Sequence, residues 1–82
     1  MIKATVWTKD DCLYCYLAKK ELHSRKYKID ERNITNLLSK EDLLKVVPKA
    51  RTVPQIFIND KYIGGYNELM QYFEETTSNY GH

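Results

Sequence analysis

The sequence predicts an α/β fold whose elements follow the order β-α-β-α-β-β-α, and three observations lead to this order. First, apolar and polar residues alternate near the start of the chain, as in a strand, and apolar residues then recur every three or four positions, as in a helix. Second, another strand-like run follows that helix, and right-handed βαβ units dominate such connections, which favours a parallel pair. Third, two β-branched and aromatic runs flank Asn59-Asp60, which predicts a hairpin. We therefore expect a mixed four-stranded sheet flanked by helices on both faces.

The first half of the chain supplies two strands and the helix between them. Ile2, Ala4 and Val6 alternate with Lys3, Thr5 and Trp7, which predicts the first strand over residues 2–7. Helical apolar spacing extends over about residues 12–25, and Asp10 or Asp11 is expected to cap this helix. Residues 27–32 alternate in a more polar pattern, which predicts a second strand nearer an edge than the middle of the sheet.

A second helix and the hairpin are predicted in the second half of the chain. Ser39-Lys40-Glu41-Asp42 resembles a capping box with Asp in place of the usual Glu, and it predicts a helix that Pro48 ends. A turn that begins upstream at Asn36 is an alternative start. Residues 55–58 and 62–63 are expected to form the two strands of the hairpin.

The last helix is predicted from an apolar stripe that follows a pair of glycines. Gly64-Gly65 interrupts the second hairpin strand, and Asn67 is expected to cap the helix. The stripe has the i, i+3, i+4, i+7 spacing of a helix and comprises Tyr66, Leu69, Met70 and Phe73. Residues 76–82 are expected to fray. No linker or repeat interrupts this order, so we expect one domain spanning residues 1–82.

Composition excludes several classes of function. The net charge of +2 arises from 13 basic and 11 acidic residues spread along the chain, so no basic block predicts a nucleic-acid partner. No apolar run approaches the ~18 residues that span a bilayer, and residues 1–6 are too short and mixed for a signal peptide. We therefore expect a cytoplasmic protein without a membrane partner.

The chemistry is predicted by the two cysteines, which occur as Cys12-Leu13-Tyr14-Cys15 between a predicted strand and a predicted helix. Unpaired N–H groups and the positive end of the helix dipole would stabilise a thiolate at the first cysteine. The second sulfur, one turn along, is close enough to form a disulfide with the first. The alternatives are that the cysteine pair forms half of a zinc site or an inert structural disulfide. Zinc would need ligands that the sequence lacks, and small secreted domains usually carry several disulfides, so we expect redox chemistry and no metal.

Four separated motifs, in order and over nearly the whole chain, resemble the glutaredoxin family. They are Thr8-Lys9, Cys12-Leu13-Tyr14-Cys15, Thr52-Val53-Pro54 and Gly64-Gly65-Tyr66-Asn67-Glu68-Leu69. Thioredoxins proper are longer and have a Trp before Cys-Gly-Pro-Cys. Leu13 departs from the family pattern, in which proline is commonest at that position. The resemblance implies the thioredoxin fold and a glutathione-dependent thiol–disulfide oxidoreductase.

The resemblance also implies a role for each cysteine. Cys12 would be the nucleophile that attacks protein–glutathione mixed disulfides, and Cys15 would resolve mixed disulfides formed with protein substrates. Glutathione would act as co-substrate. The partners so implied are glutathionylated or disulfide-bonded proteins, among them ribonucleotide reductase, and the protein is expected to be a monomer.

One side of the implied glutathione site lies around the predicted loop before the hairpin. Lys9 and Arg51 would face the glycine carboxylate of glutathione, since cationic side chains suit that group. Thr52 and Val53 would line the site, with the Val53 backbone paired to the cysteinyl moiety. Pro54 is expected to be cis, as it is in the family. For Lys9 and Arg51 the alternative of a solvated surface charge stays open.

The other side of the implied site lies at the start of the last helix. Tyr14 would form a wall of the groove, and Gly65 would allow close backbone approach. The N–H groups of Tyr66 and Asn67 would suit the γ-glutamyl carboxylate, because a helix start favours an anion. Tyr66 also begins the apolar stripe, so packing is an alternative role for its ring.

Two other functions share the expected fold. A thioredoxin-reductase-coupled redoxin would take its electrons from a flavoprotein instead of glutathione. A non-enzymatic iron–sulfur carrier would ligate a bridging cluster with Cys12 and glutathione in a dimer. The glutathione-site residues argue against the former, and the latter role belongs mainly to relatives with a single active-site cysteine.

Overall fold

The computed structural model describes residues 2–80 of the chain, with side chains described up to residue 76. The strands are β1 (Lys3–Thr8), β2 (Lys28–Asn33), β3 (Gln55–Ile58) and β4 (Lys61–Gly64). The helices are α1 (Leu13–Ser24), α2 (Leu37–Val46) and α3 (Tyr66–Tyr80). The strands form one four-stranded sheet in the order β2-β1-β3-β4. The predicted α/β order is therefore confirmed.

β1 and β3 are the two inner strands of the sheet, and β2 and β4 are its edges. β1 pairs in parallel with β2 and antiparallel with β3, and β3 pairs antiparallel with β4. The more polar β2 lies at the edge, as predicted. Asn59 has a φ of 53° at the tip of the hairpin, a left-handed conformation that Asn tolerates better than most residues. The parallel pair and the hairpin are both confirmed.

The main core lies between one face of the sheet and the helices α1 and α3. Because side chains alternate along a strand, residues two apart on β1 and β3 point to this same face. The buried members are Ala4, Val6, Ile56 and Ile58 from the sheet, Ala18 and Leu22 from α1, and Leu69 and Phe73 from α3. On the opposite face Trp7 is buried, and Val46 of α2 borders the same surface cavity as Trp7 and Phe57. The sheet therefore carries helices on both faces.

Helix α2 begins earlier than the predicted capping box. Asn36 is its N-cap, and the side-chain oxygen of Asn36 accepts a hydrogen bond from the Leu38 N–H at 2.8 Å. Ser39 therefore lies inside the helix, and the expected start at Ser39 is wrong. The alternative start at Asn36 is correct because an Asn side chain satisfies a free N–H of the first turn. The helix ends at Val46, two residues before Pro48, as predicted.

Helix α3 also begins and ends differently from the prediction. It begins at Tyr66, so Asn67 lies in the first turn and does not cap the helix. The helix continues to Tyr80, whereas fraying was expected from residue 76. Gly81 and His82 lie outside the described residues. At 15 residues α3 is the longest of the three described helices, and none of them combines the length and apolar character that a bilayer crossing requires.

Candidate active site

Cys12 occupies the N-cap of α1. Its φ of −119° and ψ of 106° are extended, and its sulfur accepts a hydrogen bond from the Cys15 N–H at 3.2 Å. Cys12 and Cys15 form a disulfide, with their Cα atoms 5.2 Å apart. The first sulfur therefore lies at the positive end of the α1 dipole, among N–H groups that lack helical partners.

Neither Asp10 nor Asp11 caps α1, so that prediction is wrong. The Asp10 N–H donates to Thr35 Oγ1 at 3.1 Å, and Asp10 Oδ1 accepts from Asn33 Nδ2 at 2.9 Å. Asp11 has a φ of 54°, in the left-handed region, and turns the chain into the helix. Asp10 is thus bound to residues at and beyond the end of β2, which leaves the capping position to the cysteine sulfur.

The two cysteines differ in accessibility. Cys15 is 2% exposed, whereas Cys12 is only partly buried. The side chains of Leu13 and Tyr14 between them are exposed. Cys12 Sγ lies 3.8 Å from the carbonyl oxygen of Val53, a contact in which a thiol would donate. An external disulfide therefore meets Cys12 before Cys15.

A groove of about 340 Å³ adjoins the cysteines, and we call it the Tyr14 groove. Its lining residues are Tyr14, Thr52, Val53, Pro54, Gly65, Tyr66, Asn67 and Glu68. The rings of Tyr14 and Tyr66 form one wall, with centroids 5.6 Å apart and planes tilted by 39°. The Val53–Pro54 peptide bond is cis, as predicted. The structure thus brings seven of the predicted glutathione-site residues together in one groove.

Lys9 and Arg51, the other two predicted glutathione-site residues, line a neighbouring cavity of about 410 Å³, which we call the Lys9 cavity. Thr52 and Val53 border both spaces. The Lys9 cavity is also lined by Asp10, Ile34, Thr35, Lys40, Leu43, Leu44 and Ala50. The predicted site is therefore divided into two compartments that meet at the loop before β3, with the predicted cations on one side only.

Glu68 also lines the Tyr14 groove, although no role for it follows from the motifs in the sequence. Its Oε1 accepts a hydrogen bond from the Gly65 N–H at 2.8 Å, while the Gly65 carbonyl accepts the first helical bond from the Leu69 N–H at 3.0 Å. This is the reciprocal half of a capping box, and the Gly65-x-x-Glu68 spacing would have indicated it. The N–H groups of Tyr66 and Asn67, in the first turn, have no acceptor within the helix. They suit an anionic group.

A hydrogen-bonded group behind the cysteines ties α1 to the sheet. Glu31 Oε2 accepts from Lys19 Nζ at 2.9 Å and from the buried Thr8 Oγ1 at 2.8 Å. Lys19 lies one turn after Cys15 on α1, and Thr8 ends β1. The hydrogen bond from Lys19, and then that from Thr8, lower the pKa of the Glu31 carboxyl.

Within residues 2–80, no three His, Cys, Asp or Glu side chains are grouped so that they could hold a metal ion.

Comparison with protein families gives a match over most of the chain. The family model described as Glutaredoxin matches residues 4–63. Glutaredoxin 3 of Escherichia coli K12 is 37% identical over 70 residues, which cover 84% of this chain and 83% of the relative.

Solved structures show the same similarity. The crystal structure of glutaredoxin 1 from Francisella tularensis, complexed with cacodylate, matches with a TM-score of 0.80 at 27% identity and covers 95% of this chain and 99% of that one. A buckwheat glutaredoxin–glutathione complex matches with a TM-score of 0.69 at 28% identity, over 89% of this chain and 69% of that one. The predicted thioredoxin-like fold is confirmed by these matches.

Proposed function

The chain belongs to the glutaredoxin family of thiol–disulfide oxidoreductases, and we propose that it uses glutathione to reduce protein–glutathione mixed disulfides and protein disulfides. The observation that carries this proposal is the position of Cys12. Its sulfur lies at the start of α1 and 3.8 Å from the carbonyl of Val53, a residue that borders both the Tyr14 groove and the Lys9 cavity. A disulfide whose glutathione half occupies these spaces would present its sulfur to Cys12.

In the proposed reaction the Cys12 thiolate attacks the glutathione sulfur of a mixed disulfide. A bond forms between Cys12 Sγ and that sulfur, the substrate disulfide breaks, and the substrate leaves as a thiolate that takes a proton from water. The thiolate of a second glutathione then attacks the sulfur of the bound one. Oxidised glutathione leaves, and Cys12 returns as a thiolate.

A protein disulfide would require both cysteines. Cys12 would attack one substrate sulfur and form a mixed disulfide with the protein, and the Cys15 thiolate would then attack Cys12 Sγ. The other substrate sulfur leaves in the first step, and the second attack releases the substrate sulfur that Cys12 had bound. Each leaves as a thiolate that takes a proton from water, and the Cys12–Cys15 disulfide seen in the structure is formed. Two glutathione molecules would reduce that disulfide and leave as oxidised glutathione.

The charges around the two compartments support a direction for bound glutathione. The first-turn N–H groups of Tyr66 and Asn67 are suited to the γ-glutamyl carboxylate. The glycine carboxylate would lie in the Lys9 cavity, where Lys9 and Arg51 supply positive charge. The cysteinyl moiety would then cross the Val53 backbone between the two. That a buckwheat relative forms a complex with glutathione supports the same ligand here.

Ribonucleotide reductase is included in the proposal as one protein acceptor of these electrons. We further propose that the chain acts as a monomer in the cytoplasm. These points are supported by the family resemblance alone, because the contacts described above concern glutathione and the cysteines.

A comparison of two reductants tests the proposed dependence on glutathione. Turnover of a small mixed disulfide of glutathione would be followed by NADPH oxidation, either with glutathione and glutathione reductase or with thioredoxin reductase alone. We expect turnover with the glutathione system and none with thioredoxin reductase. Turnover only with thioredoxin reductase would overturn the proposal and place the protein with flavoprotein-coupled redoxins.

A further inference from the structure

Gln55 is a buried polar residue that the reaction described above does not use. It is the first residue of β3, follows the cis Val53–Pro54 bond, and is 7% exposed. Its Nε2 donates to the Thr52 carbonyl at 2.8 Å, and its Oε1 accepts from the Tyr62 hydroxyl at 2.6 Å. Both ends of the amide are therefore bonded, one to the loop that lines the site and the other to β4.

The donors and acceptors in this chain of hydrogen bonds have one consistent direction. A backbone carbonyl only accepts, so the NH₂ group of Gln55 must face Thr52. The amide oxygen then faces Tyr62, whose hydroxyl must donate. Burial, and then the negative charge of Glu68, raise the pKa of Tyr62, so the hydroxyl keeps its proton at neutral pH. The Tyr62 ring packs against Phe57, with centroids 5.3 Å apart, which holds the hydroxyl in place.

The hydrogen bond from Gln55 to the Thr52 carbonyl also fixes the direction of the Val53 N–H. The Thr52 carbonyl and the Val53 N–H belong to the same planar peptide unit, and in a trans peptide they point in opposite directions. The structure holds the Thr52 carbonyl toward the buried Gln55 amide. The Val53 N–H therefore points away from Gln55, and rotation of this peptide unit would break the hydrogen bond.

We propose that Gln55 and Tyr62 are positioning residues that hold the Val53 N–H in the direction needed to pair with the cysteinyl moiety of glutathione. This inference rests on the proposed function, since it concerns the same ligand. Neither side chain contacts the reacting sulfur. The two residues act through the Thr52–Val53 peptide, which borders both the Tyr14 groove and the Lys9 cavity.

Two substitutions test this role. Gln55→Met removes both hydrogen bonds while keeping a side chain of similar length, and Tyr62→Phe removes only the hydroxyl and keeps the ring against Phe57. With a glutathione mixed disulfide as substrate, we expect Gln55→Met to raise KM roughly five- to tenfold, on the scale of one hydrogen bond. Tyr62→Phe should raise KM roughly two- to threefold, because the bond from Gln55 to Thr52 remains. In both variants kcat should change by less than about twofold.

Tyr27→Phe is the matched control. It removes a tyrosine hydroxyl from a ring that packs against Phe73 in the core and lines neither compartment, so KM should stay at the wild-type value. Thermal unfolding of each variant would establish that it is folded. The rate at which iodoacetamide alkylates Cys12 in the reduced protein should be unchanged, because this reaction does not use the Val53 N–H.

The outcomes separate this inference from the proposed function. An inactive wild type with the glutathione system would contradict the proposed function itself. An active wild type, together with folded Gln55→Met and Tyr62→Phe proteins of wild-type KM, would contradict only the positioning role. Loss of kcat at unchanged KM would contradict it as well. If Gln55→Met does not fold, the KM of Tyr62→Phe relative to Tyr27→Phe decides the question.

Discussion

At the scale of single residues, the cysteine that caps α1 is also the one that an external disulfide can reach. The Cys12 sulfur accepts the Cys15 N–H, so a thiolate at this position would be stabilised by the same donor and by the helix dipole. Cys15, at 2% exposure, is kept from solvent. The two sulfurs of the disulfide thus have different environments, which is what the separate roles of nucleophile and resolving thiol require.

The stabilised thiolate leads to a prediction about alkylation. In a reduced Cys15→Ser variant only Cys12 can react, and its alkylation rate with iodoacetamide, measured against pH, should give an apparent pKa well below about 8.5. The same titration of a free cysteine in a short peptide is the reference. An apparent pKa equal to that of the peptide would contradict the account of the helix N-terminus.

Lys9 gives a second prediction at this scale. Lys9 lines the cavity proposed for the glycine carboxylate, so Lys9→Ala should raise KM for the glutathione mixed disulfide by roughly twofold to fivefold, with little change in kcat. The effect should shrink as salt is added, because exposed charges are screened. Lys28→Ala is the control, since Lys28 begins β2, opposite Lys3 at the far end of the sheet. Equal KM values for the two variants would assign Lys9 to the solvated surface.

At the scale of elements, α1 is held to the sheet by the carboxylate of Glu31. Lys19 on α1 and Thr8 at the end of β1 both donate to this carboxylate. These bonds favour its charged form, so its pKa in the folded chain lies below the ordinary value of 4.5. The stabilisation is therefore complete above the unfolded pKa and is lost as the pH falls through the lower pKa of the folded state.

This linkage predicts how the free energy of unfolding depends on pH. Glu31→Gln cannot ionise, so it should be less stable than the wild type near neutral pH and should lose less stability between about pH 6 and about pH 3. Lys19→Met removes the hydrogen-bond donor that lowers the Glu31 pKa most, so it should also reduce the loss of unfolding free energy in acid. Urea unfolding across this pH range measures both. Parallel pH profiles for wild type and Glu31→Gln would contradict the assignment.

At the scale of the whole molecule, one core joins the strands to the helix that carries the cysteines. Leu22 of α1 is fully buried in this core, so Leu22→Ala should lower the free energy of unfolding by about 2–5 kcal/mol. Such a loss is large for a domain of this size, whose total stability is on the order of 10 kcal/mol or less. Leu38→Ala, at a position 69% exposed, should change stability by no more than about 0.5 kcal/mol. Chemical denaturation of both variants measures the difference, and similar losses would contradict the described core.

The order of elements could be predicted from the sequence because it depends on local patterns. Residues 55–58 coincide with β3, and the alternation near the start identified β1, although β1 extends to Thr8. Helix starts were less predictable, since several polar residues near each start are suitable caps. The N-cap of α2 is Asn36 instead of the expected Ser39, and the N-cap of α1 is Cys12 instead of Asp10 or Asp11. Which candidate caps a helix depends on whether its side chain is hydrogen-bonded to a neighbouring loop instead, and sequence spacing does not show this.

The site was predictable where its members belong to short motifs and less so where packing divides them. Tyr14 and the residues around Val53 and Tyr66 meet in one groove, as the resemblance implied. The separation of Lys9 into a second cavity depends on α2 and the loop before it, whose placement the sequence pattern does not specify. The sequence pattern indicates only that Gln55 belongs to a strand. Its hydrogen-bond partner Tyr62 lies across the hairpin, and spacing along the chain does not predict that contact.

The central claim is that Cys12 is the nucleophile of a glutathione-dependent reaction, and the most direct measurement compares Cys12→Ser with Cys15→Ser. Both variants and the wild type would be assayed for turnover of a small glutathione mixed disulfide with glutathione, glutathione reductase and NADPH. The account predicts that Cys12→Ser has no turnover, while Cys15→Ser retains it, since glutathione can resolve the Cys12 mixed disulfide. Turnover that survives in Cys12→Ser and is lost in Cys15→Ser would contradict the account.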